Sequence, residues 1–340
     1  MRNLPSLLSG MLLILVAAPH FPAVAGDAPE VTIRNYVRAE TDLQMRTYIE
    51  KMDAFGKFNH VREAYDVTNR DTVRPNRDTI YSWSVFDLAS PLTIVLPDPK
   101  GRYQSLMIVS QDHSIWAEYG PKQVVLDEKI VGTRYALLLV RTFLDPNDEA
   151  DVKAAHALQD AIIVRQADKG RWEDPGWNKE EVEAMREKIN VVAAALPPTG
   201  TCFGRKEELD PIYWLLCAAY GWGGLPRQDS TYAAGVAEKN DGKTPYTLTV
   251  KDVPVDAFWS VTVYDDKGMF IVNEQNAYSY NSVTAKKNED GSVTIHFGGD
   301  PRQDNFIPIA PGWNYIVRMY RPRKEILDGT WKFPIPEPVT

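Results

Sequence analysis

Hydrophobic spacing changes twice along this chain, from a period of two to a helical period and back to two. Apolar residues alternating with polar ones mark strands, whereas recurrence at i, i+3, i+4 and i+7 marks helices. Val31 to about Met52 reads as helix in two short pieces, with Thr41 or Asp42 opening the second. Thr93 to Leu96 reads as a strand closed by the turn Pro97–Gly101, and Tyr103 to Ser110 as the next. Arg134 to Arg141 is nearly continuous in apolar residues, as in a strand covered on both faces. From Asp148 the spacing turns helical. Asp151, Ala154, Ala155, Leu158, Ile162 and Ile163 mark one segment, and Glu180 to Ala195, ended by Pro197-Pro198, a second. A third runs from Asp210 to about Tyr220, with Pro211 in its first turn. Beyond Pro245, Tyr246–Val250, Phe258–Tyr264, Ser292–Phe297 and Asn314–Tyr320 read as strands, with Asp265–Gly268 as a turn. Ile335–Pro338 is extended and unable to propagate a ladder. Short strands between turn signals predict a mainly β chain with α additions. Two antiparallel β-sandwich or jelly-roll domains, at 31–147 and 231–340, are joined by a helical bridge at 148–230.

The first residues read differently. Met1-Arg2-Asn3 is a basic leader, Leu7 to Ala18 an apolar run, and Ala23-Val24-Ala25 a small-x-small cleavage pattern. Residues 1–25 are therefore expected to be a signal peptide, and the mature protein to be periplasmic or secreted, with no membrane span after cleavage. A net charge of −8 argues against a nucleic-acid partner, whose binding is built on clustered Lys and Arg. Cys202 and Cys217 are the only cysteines, and in an exported chain they are expected to form one disulfide. Homo-oligomerisation is left open.

Chemistry concentrates in Arg74–Trp83. Asn76, Arg77, Asp78, Thr79 and Tyr81 fall within six positions just before an apolar run. Strand alternation sends some of them inward, where Arg77 and Asp78 need partners. The cluster fits a binding or catalytic centre, or a polar clasp closing one end of a sandwich. A metal is not expected: His60, His113, His156 and His296 form no ligand pair on one element. An oxygen-ligand site from Asp78, Asp112 and Glu118 is the weak alternative. No Gly-x-Ser-x-Gly elbow, dinucleotide fingerprint or phosphate loop is present, and no cofactor is expected.

Residues 77–82 with Phe86-Asp87-Leu88 resemble the domain-of-unknown-function family numbered 1254, as do Gly132–Tyr135 and Leu158–Ile162. Val253–Ser260, Asp290–Ser292, Gly312–Tyr315 and Leu327–Trp331 resemble its usual partner, family 1214. One departure is Leu225 in Gly223-Gly224-Leu225-Pro226, where Asn is the expected residue. The resemblance implies two β-rich domains of jelly-roll character with helical additions, and no established reaction.

Carboxylates among aromatics remain the best chemical lead. Paired carboxyls with flat aromatic platforms process sugars, and burial against tryptophan tunes one carboxyl upward. The catalytic candidates are Asp78, Arg77, Tyr81, Asp112, His113 and Glu118. The substrate-binding candidates are Asn76, Trp83, Trp116, Trp259, Arg318 and Tyr320. Core packing is the competing role for the tryptophans, and a carboxylate pair closing the sandwich is that for Arg318. Two functional classes follow. One is a carboxylate-dependent hydrolase or lyase on a carbohydrate-like or small polar substrate. The other is a non-catalytic periplasmic binding or assembly protein taking a small molecule or glycan.

Overall fold

The computed structural model describes residues 28–197 and 199–339. The expected signal peptide and Pro198 lie outside the described residues. The first helix, α1 (Tyr36–Met52), is one helix rather than two. Thr41 and Asp42 do not cap a second start; both are buried within it. The Trp222 indole donates to Thr41 Oγ1 at 3.1 Å, while Gln111 and Trp177 donate to Asp42 at 2.7 and 2.8 Å. Side chains with such distant partners have no need to compete for the helix backbone.

Six strands follow: β1 (Asn59–His60), β2 (Thr79–Asp87), β3 (Leu92–Leu96), β4 (Gln104–Ser110), β5 (Ile115–Tyr119) and β6 (Lys122–Leu126). Next come the single turn α2 (Glu128–Val131), β7 (Tyr135–Phe143), α3 (Glu149–Asp160) and β8 (Ile163–Gln166). They form two antiparallel sheets, ordered β1-β2-β7-β4-β5 and β6-β3-β8. Phe86, Leu106, Ile108 and Leu138 of the first pack on Leu92, Ile94 and Leu126 of the second. Each such buried side chain is worth about 2 kcal/mol of transfer free energy. The helical reading of Ile162 and Ile163 is corrected here: α3 ends at Asp160, and Ile163 stands opposite Val95. The far edge of β3 needs a strand to satisfy its backbone, and the apolar run 162–164 supplies one.

Val85, Met107 and Leu137 on the other face of the first sheet receive Met45 and Ile49 of α1. Two further helices, α4 (Lys179–Ala194) and α5 (Pro211–Tyr220), pack on α1 through Val182, Ile189 and Leu216. Cys202 and Cys217 form the disulfide, Cα–Cα 5.5 Å, tying the preceding loop to α5.

The rest of the chain supplies β9 (Ser230–Val236), β10 (Tyr246–Val250), β11 (Trp259–Tyr264), β12 (Ser279–Asn281), β13 (Val293–Phe297), β14 (Phe306–Ile307) and β15 (Asn314–Tyr320). A short helix, α6 (Lys324–Leu327), and a two-residue strand, β16 (Glu337–Pro338), end it. Two sheets, ordered β12-β11-β15-β9 and β14-β13-β10-β16, enclose Trp259, Val261, Val317, Leu248, Ile295 and Phe297. The C-terminal prolines pair at an edge and carry the ladder no further, as their sequence implies. Pro338 stands opposite Tyr246 at a sheet edge, where a missing N–H is tolerated. The architecture is thus mainly β, with several antiparallel sheets and helical additions. Among the described residues, no helix is long and apolar enough to cross a membrane.

Candidate functional site

Alternation along β11 sends Trp259, Val261 and Val263 into the core and leaves Ser260, Thr262 and Tyr264 on the outer face. That face is polar yet buried: Ser260 and Thr262 are covered, and Arg318 is 5% exposed. Ser260 stands opposite both Asn281 and Arg318, and Thr262 opposite Ser279, so all five share the face. Its cover is segment 74–78, the lead into β2. Arg318 donates to the carbonyl of Arg74 at 2.9 Å and to Thr262 Oγ1 at 3.1 Å, and Tyr264 donates to the carbonyl of Pro75 at 2.7 Å. Asn76 Nδ2 donates to the Tyr320 hydroxyl at 2.9 Å, while its Oδ1 accepts the Asp78 N–H at 3.0 Å. The Asn76 side chain thereby closes a local turn by bonding the backbone two residues on. Among the described residues Arg318 therefore has no carboxylate partner, contrary to expectation; its acceptors there are neutral oxygens. Burial opposes its charge, but Tyr264 and Tyr320 beside it turn the balance, and its pKa is raised.

Asp78 lies at the buried end of the segment, 3% exposed. Its Oδ1 accepts from Ser279 Oγ at 3.0 Å and Asn281 Nδ2 at 3.1 Å, whereas Oδ2, also covered, has no partner among the described residues. Arg77 turns elsewhere. Its Nη1 donates to the carbonyl of Tyr65 at 2.7 Å, and its guanidinium carbon sits 5.4 Å from the Tyr278 ring centre. Burial lowers the Arg77 pKa, against the opposing pull of Tyr278, Asp66 and Asp78. Both residues line a pocket of about 130 Å³ whose other walls include Asp145, Asn276, Tyr278 and Asn281. Asn276 donates to Asn147 Oδ1 at 2.6 Å, joining two of these walls.

The remaining predicted residues stand apart from this pocket. Tyr81 and Trp83 share the α1-facing side of their sheet. Trp83 stacks on Tyr48 with ring centres 4.1 Å apart, and Arg141 lies 5.8 Å from the Tyr81 ring centre. Trp116 and Glu118 face the opposite side: Trp116 is core, with Arg205 4.3 Å from its ring centre, and Glu118 pairs with Lys122. Asp112 lies past the other end of the sheet. Thr79 is opposite Phe143, whereas Ser110 is opposite Ala136, seven ladder steps or roughly 23 Å away. There Asp112 accepts from Arg38 Nε at 2.9 Å as a half-exposed pair. His113 is fully buried between Phe203 and Trp222 and accepts the Gly223 N–H at 3.0 Å. Burial pushes its pKa down to about 3. Trp259 is core, against Phe333. Tyr320 joins the aromatic cluster of Tyr103, Phe143 and Phe258, and only its hydroxyl reaches the segment. Asp78, Asp112 and Glu118 therefore form no shared oxygen-ligand site. Among the described residues, no group of three or more His, Cys, Asp and Glu is placed to hold a metal.

Sequence reasoning missed Asp145, Asn276, Tyr278, Ser279 and Asn281. A signal was present: Asn276–Asn281 is dense in polar and aromatic residues, and a period of two puts Ser279 and Asn281 on one face. A wider groove of about 760 Å³ lies between the loop 97–104, α3 and residues 256–258. Its charges are largely matched: Arg102 holds Asp151, Arg323 holds Asp256, and Arg321 rests 4.8 Å from the Tyr119 ring centre.

The fold has solved counterparts. The VPA0106 protein from Vibrio parahaemolyticus is similar at a TM-score of 0.70 and 19% identity, over 91% of this chain and 98% of that one. A putative uncharacterized protein from Burkholderia cenocepacia is similar at a TM-score of 0.53 and 15% identity, over 93% of this chain and 91% of that one. At these identities the likeness concerns the fold alone. No curated protein matches. The family comparison divides the chain in two, in the order expected from its motifs. Residues 55–125 match the family described as Protein of unknown function (DUF1254), and residues 230–324 match Protein of unknown function (DUF1214).

Proposed function

We propose that this chain is a non-catalytic binding protein for a small polar ligand, taken where segment 74–78 meets β12. One observation carries the reading: Asp78 Oδ2 is buried, has no donor among the described residues, and belongs to a residue lining a pocket. Buried polar atoms nearly always have a partner, so an orphaned acceptor on a residue that lines a pocket points to a ligand's donor. The hydrolase or lyase reading asks for two carboxyl groups across one bond, about 5–10 Å apart. Of the predicted acids Asp78, Asp112 and Glu118, only Asp78 borders the pocket, so that reading falls back on Asp78 with Asp145, whose Oδ1 is taken by the Asn147 N–H. The Cys202–Cys217 disulfide suits an oxidising compartment. It thereby supports residues 1–25 as an export signal, with binding in the periplasm or outside the cell.

The test is a thermal-shift screen of the mature protein against polyols, amines, hydroxy acids, amino acids and simple sugars. At least one class should raise the melting temperature in a saturable way. If none does, and calorimetric titration is also flat, the protein does not use this pocket for binding.

A further inference from the structure

We infer that the ligand is a small α-amino acid held as its zwitterion; this rests on reading the pocket as a binding site. Adjacent residues offer it opposite things. Asp78 Oδ2 is a covered acceptor with no donor among the described residues. Arg77 uses Nη1 on the Tyr65 carbonyl, and among the described residues its Nε and Nη2 have no protein acceptor. A guanidinium edge with two N–H groups matches a carboxylate, and a carboxylate oxygen matches an ammonium. Asp145, on the same pocket, takes the Asn147 N–H on Oδ1 at 2.9 Å and has no protein donor to Oδ2 among the described residues. An ammonium with three N–H groups can use both carboxylates.

Other ligand classes satisfy fewer of these groups. A simple amine leaves Arg77 unanswered, and a simple carboxylate leaves Asp78 unanswered. A neutral polyol meets both without charge, forgoing the stronger charge-assisted bonds. A trimethylated amine brings charge but no N–H for Oδ2. Size points the same way. About 130 Å³ holds roughly four waters, which suits an amino acid near glycine, alanine or serine rather than a sugar chain. The Tyr278 ring, under the Arg77 guanidinium, keeps that cation in place for the carboxylate.

Calorimetric titration of the mature protein with glycine, L-alanine and L-serine tests this, beside glycolate, ethanolamine, glycerol and calcium chloride. At least one amino acid should bind, with glycolate and ethanolamine roughly tenfold weaker or more. Asp78→Asn turns the orphaned acceptor into a donor and should lower amino-acid affinity about tenfold while sparing glycolate. Arg77→Gln should do the same while sparing ethanolamine. Arg77→Lys keeps the charge without the two-pronged edge, and should fall between wild type and Arg77→Gln. Equal or tighter binding of glycolate, ethanolamine, glycerol or calcium overturns the zwitterion and leaves the binding reading standing. Silence from every compound overturns the zwitterion, and with a flat result in the wider screen it overturns the binding reading as well. The wild-type comparison needs no variant, so a misfolded mutant does not spare the inference.

Discussion

The Arg318 guanidinium donates to the Tyr264 hydroxyl at 2.9 Å, and that hydroxyl donates onward to the carbonyl of Pro75 at 2.7 Å. Two side chains of the C-terminal half thereby fix the backbone of a segment more than 180 residues earlier in sequence. Removing the arginine leaves the Arg74 carbonyl without its side-chain donor and takes one partner from Tyr264. Arg318→Met should therefore lower stability by roughly 2–4 kcal/mol in urea unfolding. Amide exchange should quicken at 76–80 before it does in the cores. An unchanged midpoint would show that this relay is not what holds the segment.

Asp78 separates a ligand seat from a clasp. Asparagine keeps an oxygen for Ser279 and Asn281 and removes a charge for which no ion pair exists among the described residues. Asp78→Asn should leave the melting temperature of the unliganded protein unchanged or slightly raised, as when a functional group is kept at a cost in stability. A clasp instead predicts a loss of about 3 kcal/mol. Differential scanning calorimetry without added ligand reads the sign directly.

Acid stability should carry the mark of His113. The Gly223 N–H donates to its Nε2, so charging the ring breaks that bond as well as burying a cation. Its folded pKa, about 3, lies below its ordinary 6.5. Between those values the unfolded chain binds a proton that the folded chain does not. The contribution is complete above pH 6.5 and is lost as pH falls toward 3, at about 1.4 kcal/mol per unit. Between pH 6 and 4.5, where carboxylates contribute less, His113→Gln should flatten the slope. Parallel slopes would contradict the assignment.

The disulfide closes a separation of 15 residues. In the chain-entropy account such a loop is worth about 3 kcal/mol. The Cys202→Ser, Cys217→Ser double variant should unfold at correspondingly lower urea, with α5 losing exchange protection first. Equal midpoints for oxidised wild type and variant would rule this out.

Where alternation was clean the chain could be read directly. Tyr246–Val250 and Asn314–Tyr320 are strands at the expected bounds, because one face of each is buried and the register cannot slip. β8 was hidden because Ile162 and Ile163 also fit the helical row of α3, and only the open edge of β3 decides between the two. The density of polar groups at 76–81 draws the eye to a segment that the fold covers, but says nothing of its partners. Ser279 and Asn281 reach Asp78 from 201 and 203 residues away, and Asp112 finds Arg38 from 74 residues away. Nothing local records such pairings. The nearness of Asp112 and Glu118 in sequence suggested a shared site, whereas strand parity and sheet length send them to different surfaces.

The cover over β11 also sets an order in time. Segment 74–78 leaves the ribosome some 240 residues before Arg318, which bonds the Arg74 carbonyl. At ordinary synthesis rates that interval is on the order of tens of seconds. The Pro75 carbonyl waits for Tyr264 of β11, the Asp78 carboxyl for Ser279 and Asn281 of β12, and the Arg74 carbonyl for Arg318 of β15. The nascent N-terminal half can then pair β2 with β1 and β7, but the segment 74–78 that leads into it has none of its C-terminal partners yet. Its completion is a late, long-range event, and the hours-old protein and the half-made one present different surfaces to whatever they meet.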